Sequence, residues 1–499
     1  MRKQPPRNWV VLRRISQGVF LLLFVVSAGW LSNDIFYETD PNLMLFTAVA
    51  AWGLLHEIAP ALVMLGLTLI LGRFFCGWIC PLGTLIDAAG TLRRRRNGLS
   101  ESGNRLARNI RLVIWIAILA TALAGLQVAW HPDPMVIAGR FVSLNLIPAV
   151  STVLGWLIGA VAGIPVIGGF LRDLWQSFPG GDRTYGTAAS LGMFAVFLFT
   201  ILLSLWLPRL WCRSQCPLGA LYALTGRLSP LGRRTSGCTS CRACTKLCRM
   251  GAIRNDGEYE KGECILCMDC VYDCKIGKTW FSFRAPGKKR PPEAEGRGVT
   301  RAQFLALAGA PILAAMLRGR RAFAAGALPA PAAGPLRPPG AVPGDAFSNQ
   351  CVRCGNCMSA CPTNVIQPLI GGAGIESLWS PAMAYDVAWC SYNCNKCGEV
   401  CPTNAISDLT LAEKQRFRIG LAVVNRTTCY PWSTSENCLV CEEQCPIPTK
   451  AIKVVEARGK GGVILRRPVV DPKLCIGCGS CQNKCPQTPA KAIIVGPVK

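Results

Sequence analysis

Twenty-four of the 28 cysteines fall into six groups of four. Cys238, Cys241, Cys244 and Cys248 are spaced C-x2-C-x2-C-x3-C, and Cys264, Cys267, Cys270 and Cys274 repeat that spacing. Three thiolates on so tight a loop take three corners of a [4Fe–4S] cube. In two-cluster ferredoxins the fourth corner comes from the last cysteine of the partner motif. The pattern predicts one cluster on Cys238, Cys241, Cys244 and Cys274, and another on Cys264, Cys267, Cys270 and Cys248. The usual proline after the fourth cysteine is replaced by Arg249 and Lys275. Four more tetrads follow: Cys351, Cys354, Cys357, Cys361; Cys390, Cys394, Cys397, Cys401; Cys429, Cys438, Cys441, Cys445; and Cys475, Cys478, Cys481, Cys485. Each closes in Cys-Pro, at Pro362, Pro402, Pro446 and Pro486. Structural zinc or disulfides also use Cys-x-x-Cys pairs, but neither needs a third cysteine at this step or the trailing Cys-Pro. The expected cofactors are six [4Fe–4S] clusters, and cubes within short hops of each other conduct electrons.

Four cysteines remain, Cys76 and Cys80 in FFCGWICPLG and Cys212 and Cys216 in WCRSQCPLGALY. Both C-x3-C-P elements lie just past hydrophobic runs, so their thiols can meet near one membrane surface. A seventh cluster, a redox disulfide or another metal would use four thiols so placed; a pair of structural turns packed by Trp78 and Trp211 would also look like this. Histidine is nearly absent, with only His56 and His131, and no Cys-x-x-Cys-His occurs. That excludes attached c-type haem and leaves bis-His haem without support. His56 and Glu57 lie in or beside the second hydrophobic run, where ionisable groups are costly unless paired or functional. They are candidate catalytic acceptors of quinol protons, with His131 and Asp133 as a second candidate. Interfacial polar residues at helix ends are the plainer alternative.

The composition says what holds these residues. With 51% hydrophobic and 16% charged residues, an ordinary soluble enzyme is excluded. The net charge of +26 flanks hydrophobic runs rather than forming a nucleic-acid module, so a membrane and not nucleic acid is the expected partner. Runs long enough to cross a bilayer lie at about 15–31, 50–72, 110–130 and 188–207. Arg2, Lys3, Arg7, Arg13 and Arg14 precede the first run; Arg93 to Arg96, Arg105, Arg108 and Arg111 precede the third; Arg209 to Arg234 follow the fourth. The positive-inside rule puts all three segments in the cytoplasm. A fifth apolar stretch, about 144–170, would upset that count, and its many Gly and Pro residues suggest a membrane-lying or re-entrant insertion. The expected fold class is a membrane α-helical bundle of about four spans plus α+β ferredoxin-like iron–sulfur domains. The divisions fall at 1–230 (transmembrane), 231–283 (two-cluster ferredoxin), 284–346 (linker with an apolar segment, 302–317) and 347–499 (four-cluster polyferredoxin).

Residues 1 to about 280 resemble the NapH/MauN family of membrane ferredoxins, through VLRRISQ, TDPNLM, RFFCGWICPL, WHPDPMVIAGR and WCRSQCPLGALY. Residues 336–499 resemble the NapG/MauM family, through LRPPGAVPGDAFSNQCVRCGNCMSACP, RIGLAVVNRTTCYPW and LCIGCGSC. The chain thus looks like a fusion of two proteins that are usually separate. The resemblance implies a quinol dehydrogenase-type subunit of the bacterial inner membrane. It would draw on the quinone pool and pass electrons to a soluble or membrane redox partner, such as a periplasmic reductase (nitrate reductase being the best-known case) or a cytochrome c. NapG-type proteins begin with a twin-arginine export signal; here GVTRAQFLALAGAPILAAM has Arg301 but Ala302 in place of the second arginine. The segment Ala322-Phe323-Ala324 resembles a small-residue cleavage site. The expectation is a periplasmic C-terminal domain. Two other functions fit the same motifs: a redox factor for maturing a metalloenzyme, and electron flow from a cytoplasmic donor into the quinone pool. Four further clusters favour a conduit over an assembly factor.

Overall fold

This computed structural model describes residues 8–28, 34–53, 58–92, 98–161, 184–236, 241–255, 257, 259–274, 279–283, 334–371, 377–434, 436–458 and 464–497. The expected linker segment 302–317, Arg301, the cleavage-like Ala322–Ala324, His56, Glu57, Cys238 and Lys275 lie outside these residues. The chain divides into two compact units. One comprises residues 1–145, 191–323 and 349–354, the other 146–190, 324–348 and 355–499.

The first unit is a helical bundle with a small cysteine-rich module. Its helices are α1 (Asn8–Val26), α2 (Asp34–Glu38), α3 (Pro41–Ala51), α4 (Ala59–Leu71), α5 (Phe75–Trp78), α6 (Pro81–Gly90), α7 (Glu101–Leu123) and α8 (Pro134–Phe141). A π-turn, Val142–Leu146, leads into α9 (Ile147–Val161), which clusters with the second unit. Then come α10 (Thr187–Trp206), α11 (Leu210–Ser214) and α12 (Pro217–Gly226). The helices start where local chemistry dictates. Asp40 and Asp133 cap α3 and α8, each carboxylate accepting two backbone N–H groups, with Pro41 and Pro134 at the first helical positions. Cys80 and Cys216 cap α6 and α12 in the same way, their sulfurs accepting from the Gly83 and Gly219 N–H groups. The C-P signature is therefore a helix start as well as a ligand motif.

Among the described residues, four helical stretches are long and apolar enough to cross a membrane: Asn8–Val26, Glu101–Leu123, Pro134–Ala160 and Thr187–Trp206. This is a membrane protein, and apolar side chains such as Leu22, Val63, Phe199 and Trp206 stand exposed on its helices. The number agrees with the sequence reading, but the membership does not. The expected span at 50–72 holds the 13-residue helix α4, with the end of α3 and a turn at Trp52 before it. The stretch read as an insertion is a continuous apolar helix as far as Ala160. Pro148 does not break it, because the wider π-turn just ahead absorbs the loss of an amide donor.

After α12 the chain forms β1 (Leu231–Thr235), two short helices α13 (Ala243–Leu247) and α14 (Asp269–Tyr272), and β2 (Thr279–Phe283). β1 and β2 pair antiparallel, Arg233 opposite Phe281, and enclose the two cysteine loops. The second unit follows the same α+β plan with three antiparallel pairs: β3 (Ile366–Pro368) with β4 (Pro381–Met383), β5 (Leu421–Val424) with β8 (Ile493–Gly496), and β6 (Ile452–Arg458) with β7 (Ile464–Val470). Its core is largely the cysteines themselves, together with Val365, Ile406, Ile452 and Leu465.

Candidate functional site

Among the described residues, cysteines line three small cavities. In the first unit, Cys248, Cys264, Cys267 and Cys270 surround one. In the second, Cys429, Cys438, Cys441 and Cys485 surround another, and Cys361, Cys390, Cys394 and Cys397 the third. Each set takes three thiols from one motif and the last thiol of another. Sequence reasoning drew this crossing only for the Cys238–Cys274 module and left the four later tetrads as contiguous groups. No disulfide occurs among the described cysteines. Nor, among the described residues, do three His, Cys, Asp or Glu side chains converge on a single-ion site. Three thiols of one motif and the closing thiol of another around one cavity fit the crossed donor set of an iron–sulfur cluster.

The two C-x3-C-P elements do meet. Cys76, Cys80, Cys212 and Cys216 are all buried and lie within electrostatic reach of one another. Two arginines cross between the halves. Arg73 donates Nε–H to Cys76 Sγ at 3.3 Å and reaches over to the Cys212 carbonyl at 3.1 Å. Arg209 donates to the Cys76 carbonyl at 2.8 Å and the Gly83 carbonyl at 3.3 Å. The arrangement is a pseudo-twofold: R-x2-C-x3-C-P-L-G occurs at Arg73–Gly83 and again at Arg209–Gly219. Gly83 and Gly219 leave the room, since a Cβ on Gly219 would stand 2.4 Å from the Arg73 guanidinium. Burial pushes the Cys80 and Cys216 thiols well above the ordinary range. Free thiols so placed are inert towards exchange, whereas a metal centre would deprotonate them.

Both arginines are anchored by buried carboxylates that continue into the cysteine-rich module. Arg73 and Arg111 pair with Glu263, next to Cys264. Arg209 pairs with Asp87 at 2.7 Å, Asp87 with Arg249 at 3.0 Å, and Arg249 with Asp269, two residues past Cys267, at 2.7 Å. Burial alone would raise both carboxyls; instead the arginines hold Glu263 at about 2 and Asp87 far below the usual carboxylate range. Arg249, which stands where ferredoxins carry proline, is thus the bridge between Asp87 and the cysteine loop. The joint is also close-packed. A Cβ on Gly77 would lie 2.1 Å from the Ile265 carbonyl oxygen, and the Trp78 indole donates to the Leu266 carbonyl at 3.1 Å.

A second polar centre lies in the same unit. Asp40 and Asp133 are fully buried and lie within close electrostatic reach of each other. One oxygen of each is used in capping; the other accepts from no donor. Burial holds this pair above the usual carboxylate range. Asp133 was a sequence candidate through its neighbour His131. His131 is exposed and stacks edge-on against Trp130, its pKa lowered by partial burial and Arg140. Sequence reasoning missed Asp40, Arg73, Asp87, Arg209, Tyr222 and Glu263. The signals were there in the twice-repeated Asp-Pro and the arginine three residues before each C-x3-C-P.

Comparison with known proteins agrees with this layout. A family described as "4Fe-4S binding domain" matches residues 55–100 and 189–236, the two halves around the four thiols. Families described as "4Fe-4S dicluster domain" match 348–415 and 434–488, and NosR matches 236–276. An uncharacterized protein of Methanocaldococcus jannaschii is 30% identical over 283 residues, covering 56% of this chain and 98% of that protein. The methylamine utilization ferredoxin-type protein MauM of Methylobacillus flagellatus is 34% identical over 188 residues, 38% of this chain and 76% of its own. The ferredoxin-type protein NapH of Escherichia coli is 26% identical over 294 residues, 54% of this chain and 86% of its own. No solved structure matches.

Proposed function

The chain belongs to the NapH/MauN-type ferredoxin proteins and carries a MauM-type part, and on that premise we propose that it conducts electrons from quinol to a periplasmic reductase. That it is a membrane-bound ferredoxin-type electron-transfer protein follows from the family and the cysteine-lined cavities. The finer reading rests on one observation above all, the four-thiol site wedged against the Cys264 loop. It gives a buried redox position in the membrane unit a direct neighbour in the ferredoxin module.

In this reading the 24 ferredoxin-type cysteines hold six [4Fe–4S] clusters in crossed sets. Cys76, Cys80, Cys212 and Cys216 hold a seventh centre, which supplies a one-electron carrier beside the membrane. Arg73 and Arg209 offset the negative charge that four thiolates would bring into a buried site. A periplasmic side for the C-terminal clusters is the side that the resemblance to exported NapG/MauM-type proteins implies. Nitrate reductase is the best-known partner of such subunits.

Anaerobically purified protein should contain about 28 iron and 28 sulfide per chain, four per site. A quinol analogue should reduce its clusters. Clusters that take electrons from dithionite but not from any quinol would overturn the donor; iron near about 24, unaltered by Cys80→Ser, would remove the seventh centre.

A further inference from the structure

We propose that Asp40 and Asp133 hold one proton between them and take up a second when the four-thiol site is reduced. The inference rests on the reading that those thiols carry a redox centre. It begins with accounting of oxygens. Each carboxylate spends Oδ1 on two backbone N–H groups at its helix start. Each Oδ2 is buried without a donor, and the two side chains lie within close electrostatic reach of each other. Both residues have no solvent exposure. Two bare carboxylate oxygens cannot face each other out of water; a proton between them turns the clash into a hydrogen bond.

The surroundings link this pair to the thiols. The titratable and charged groups facing it are Tyr37 from α2, Arg140 from α8 and Tyr222 from α12. Tyr222 is buried, its hydroxyl accepts and donates no hydrogen bond, and it lies within electrostatic reach of Asp40 and Asp133 and of Cys76 and Cys80. Helix α7 touches both surroundings: Arg111 donates to the Cys212 carbonyl, and Trp115 donates to Asn42, two residues past Asp40. An electron arriving so close, in a buried region, raises the proton affinity of the pair. The balance is simple. One electron enters from a quinol-class donor and one proton passes from water to a carboxylate oxygen; both leave on reoxidation. Only an O–H bond is made or broken. Tyr222 has Ile86 as its counterpart in the other C-x3-C-P repeat, so the connection runs on one side only.

Infrared difference spectra of the anaerobic full-length holoprotein, oxidised against dithionite-reduced with mediators, test this directly. A protonated-carboxyl band should be present in the oxidised state, gain intensity on reduction and shift in heavy water. Asp133→Asn should remove it, and because asparagine caps helices as well as aspartate, that variant keeps α8. The potential of the four-thiol centre should shift tenfold in equilibrium constant per pH unit, 59 mV for one electron, and become flat in Asp133→Asn. A wild-type spectrum without a carboxyl change, together with a potential independent of pH, overturns the proposal without need of any variant. Quinol failing where dithionite succeeds, with the carboxyl change intact, would overturn the donor and uphold the pair.

Discussion

Gly77→Ala is the most direct test of the joint between membrane unit and ferredoxin module. The added methyl would lie 2.1 Å from the Ile265 carbonyl oxygen and 3.2 Å from its carbon, where ordinary contact starts at 3.4 Å. The loop must therefore retreat by about 1.3 Å from α5. It has little freedom to do so. Leu266 already holds a left-handed φ of 53°, its carbonyl accepts the Trp78 indole N–H, and Cys264 and Cys267 flank it. Forced overpacking of this kind costs about 1–3 kcal/mol, or about 5- to 140-fold in the docked equilibrium. Gly262→Ala, with a Cβ 2.3 Å from the Ala223 carbonyl oxygen, should act alike from the other half, while Gly66→Ala, with nothing within 4 Å, should not. The assay is twofold: thermal loss of visible iron–sulfur absorbance in detergent, and the rate of cluster reduction by a quinol analogue. Both should fall for Gly77→Ala and Gly262→Ala. If Gly77→Ala melts and conducts like Gly66→Ala, the close joint does not govern electron entry.

Arg209→Met should lower stability by about 3–5 kcal/mol, as loss of one member of a buried ion pair does, because Asp87 and two carbonyls lose their donor; urea unfolding in detergent would show it, and adding Asp87→Leu should recover part of the loss. Cys485→Ser should abolish the cluster of Cys429, Cys438 and Cys441 and spare that of Cys475, Cys478 and Cys481, which electron paramagnetic resonance can distinguish; loss at the latter site alone would refute the crossed set. Protease added to intact spheroplasts should remove the region beyond about residue 327 and leave Cys238–Cys274 untouched; cleavage only after lysis would put the C-terminal clusters in the cytoplasm.

The ligand chemistry was legible because cysteine spacing is a local property. A C-x2-C-x2-C loop reads the same whatever surrounds it, and α+β ferredoxin modules follow. What the sequence concealed was long-range pairing. The hydropathy window at 50–72 ran the end of α3 into α4, because the residue that ends α3, Trp52, is itself apolar and left-handed. The same windows discounted 144–170 for its glycines, although Gly155 and Gly159 are accommodated within α9. Arg73 and Arg209 looked like topogenic charges at membrane ends. Their role as crossed struts appears only when residues 133 and 139 positions apart are brought together. Asp40 was hidden for the opposite reason: a single carboxylate before Pro41 is an ordinary helix cap until Asp133 is found against it.

The crossed arginines also set a timetable. Arg73 finds its acceptors on Cys212 and Glu263, 139 and 190 residues further along the chain. A ribosome adding about 5–20 residues per second needs about 10–40 s to deliver the latter. Throughout that interval the nascent first half holds an uncompensated guanidinium and two unshared thiols at the translocon. Its folding must wait on the second half, so a chain stalled between residues 90 and 200 presents a recognisable lesion to membrane quality-control proteases. Splitting the gene between the halves would turn that delay into a search for a partner, and expression would then depend on the balance of the two fragments.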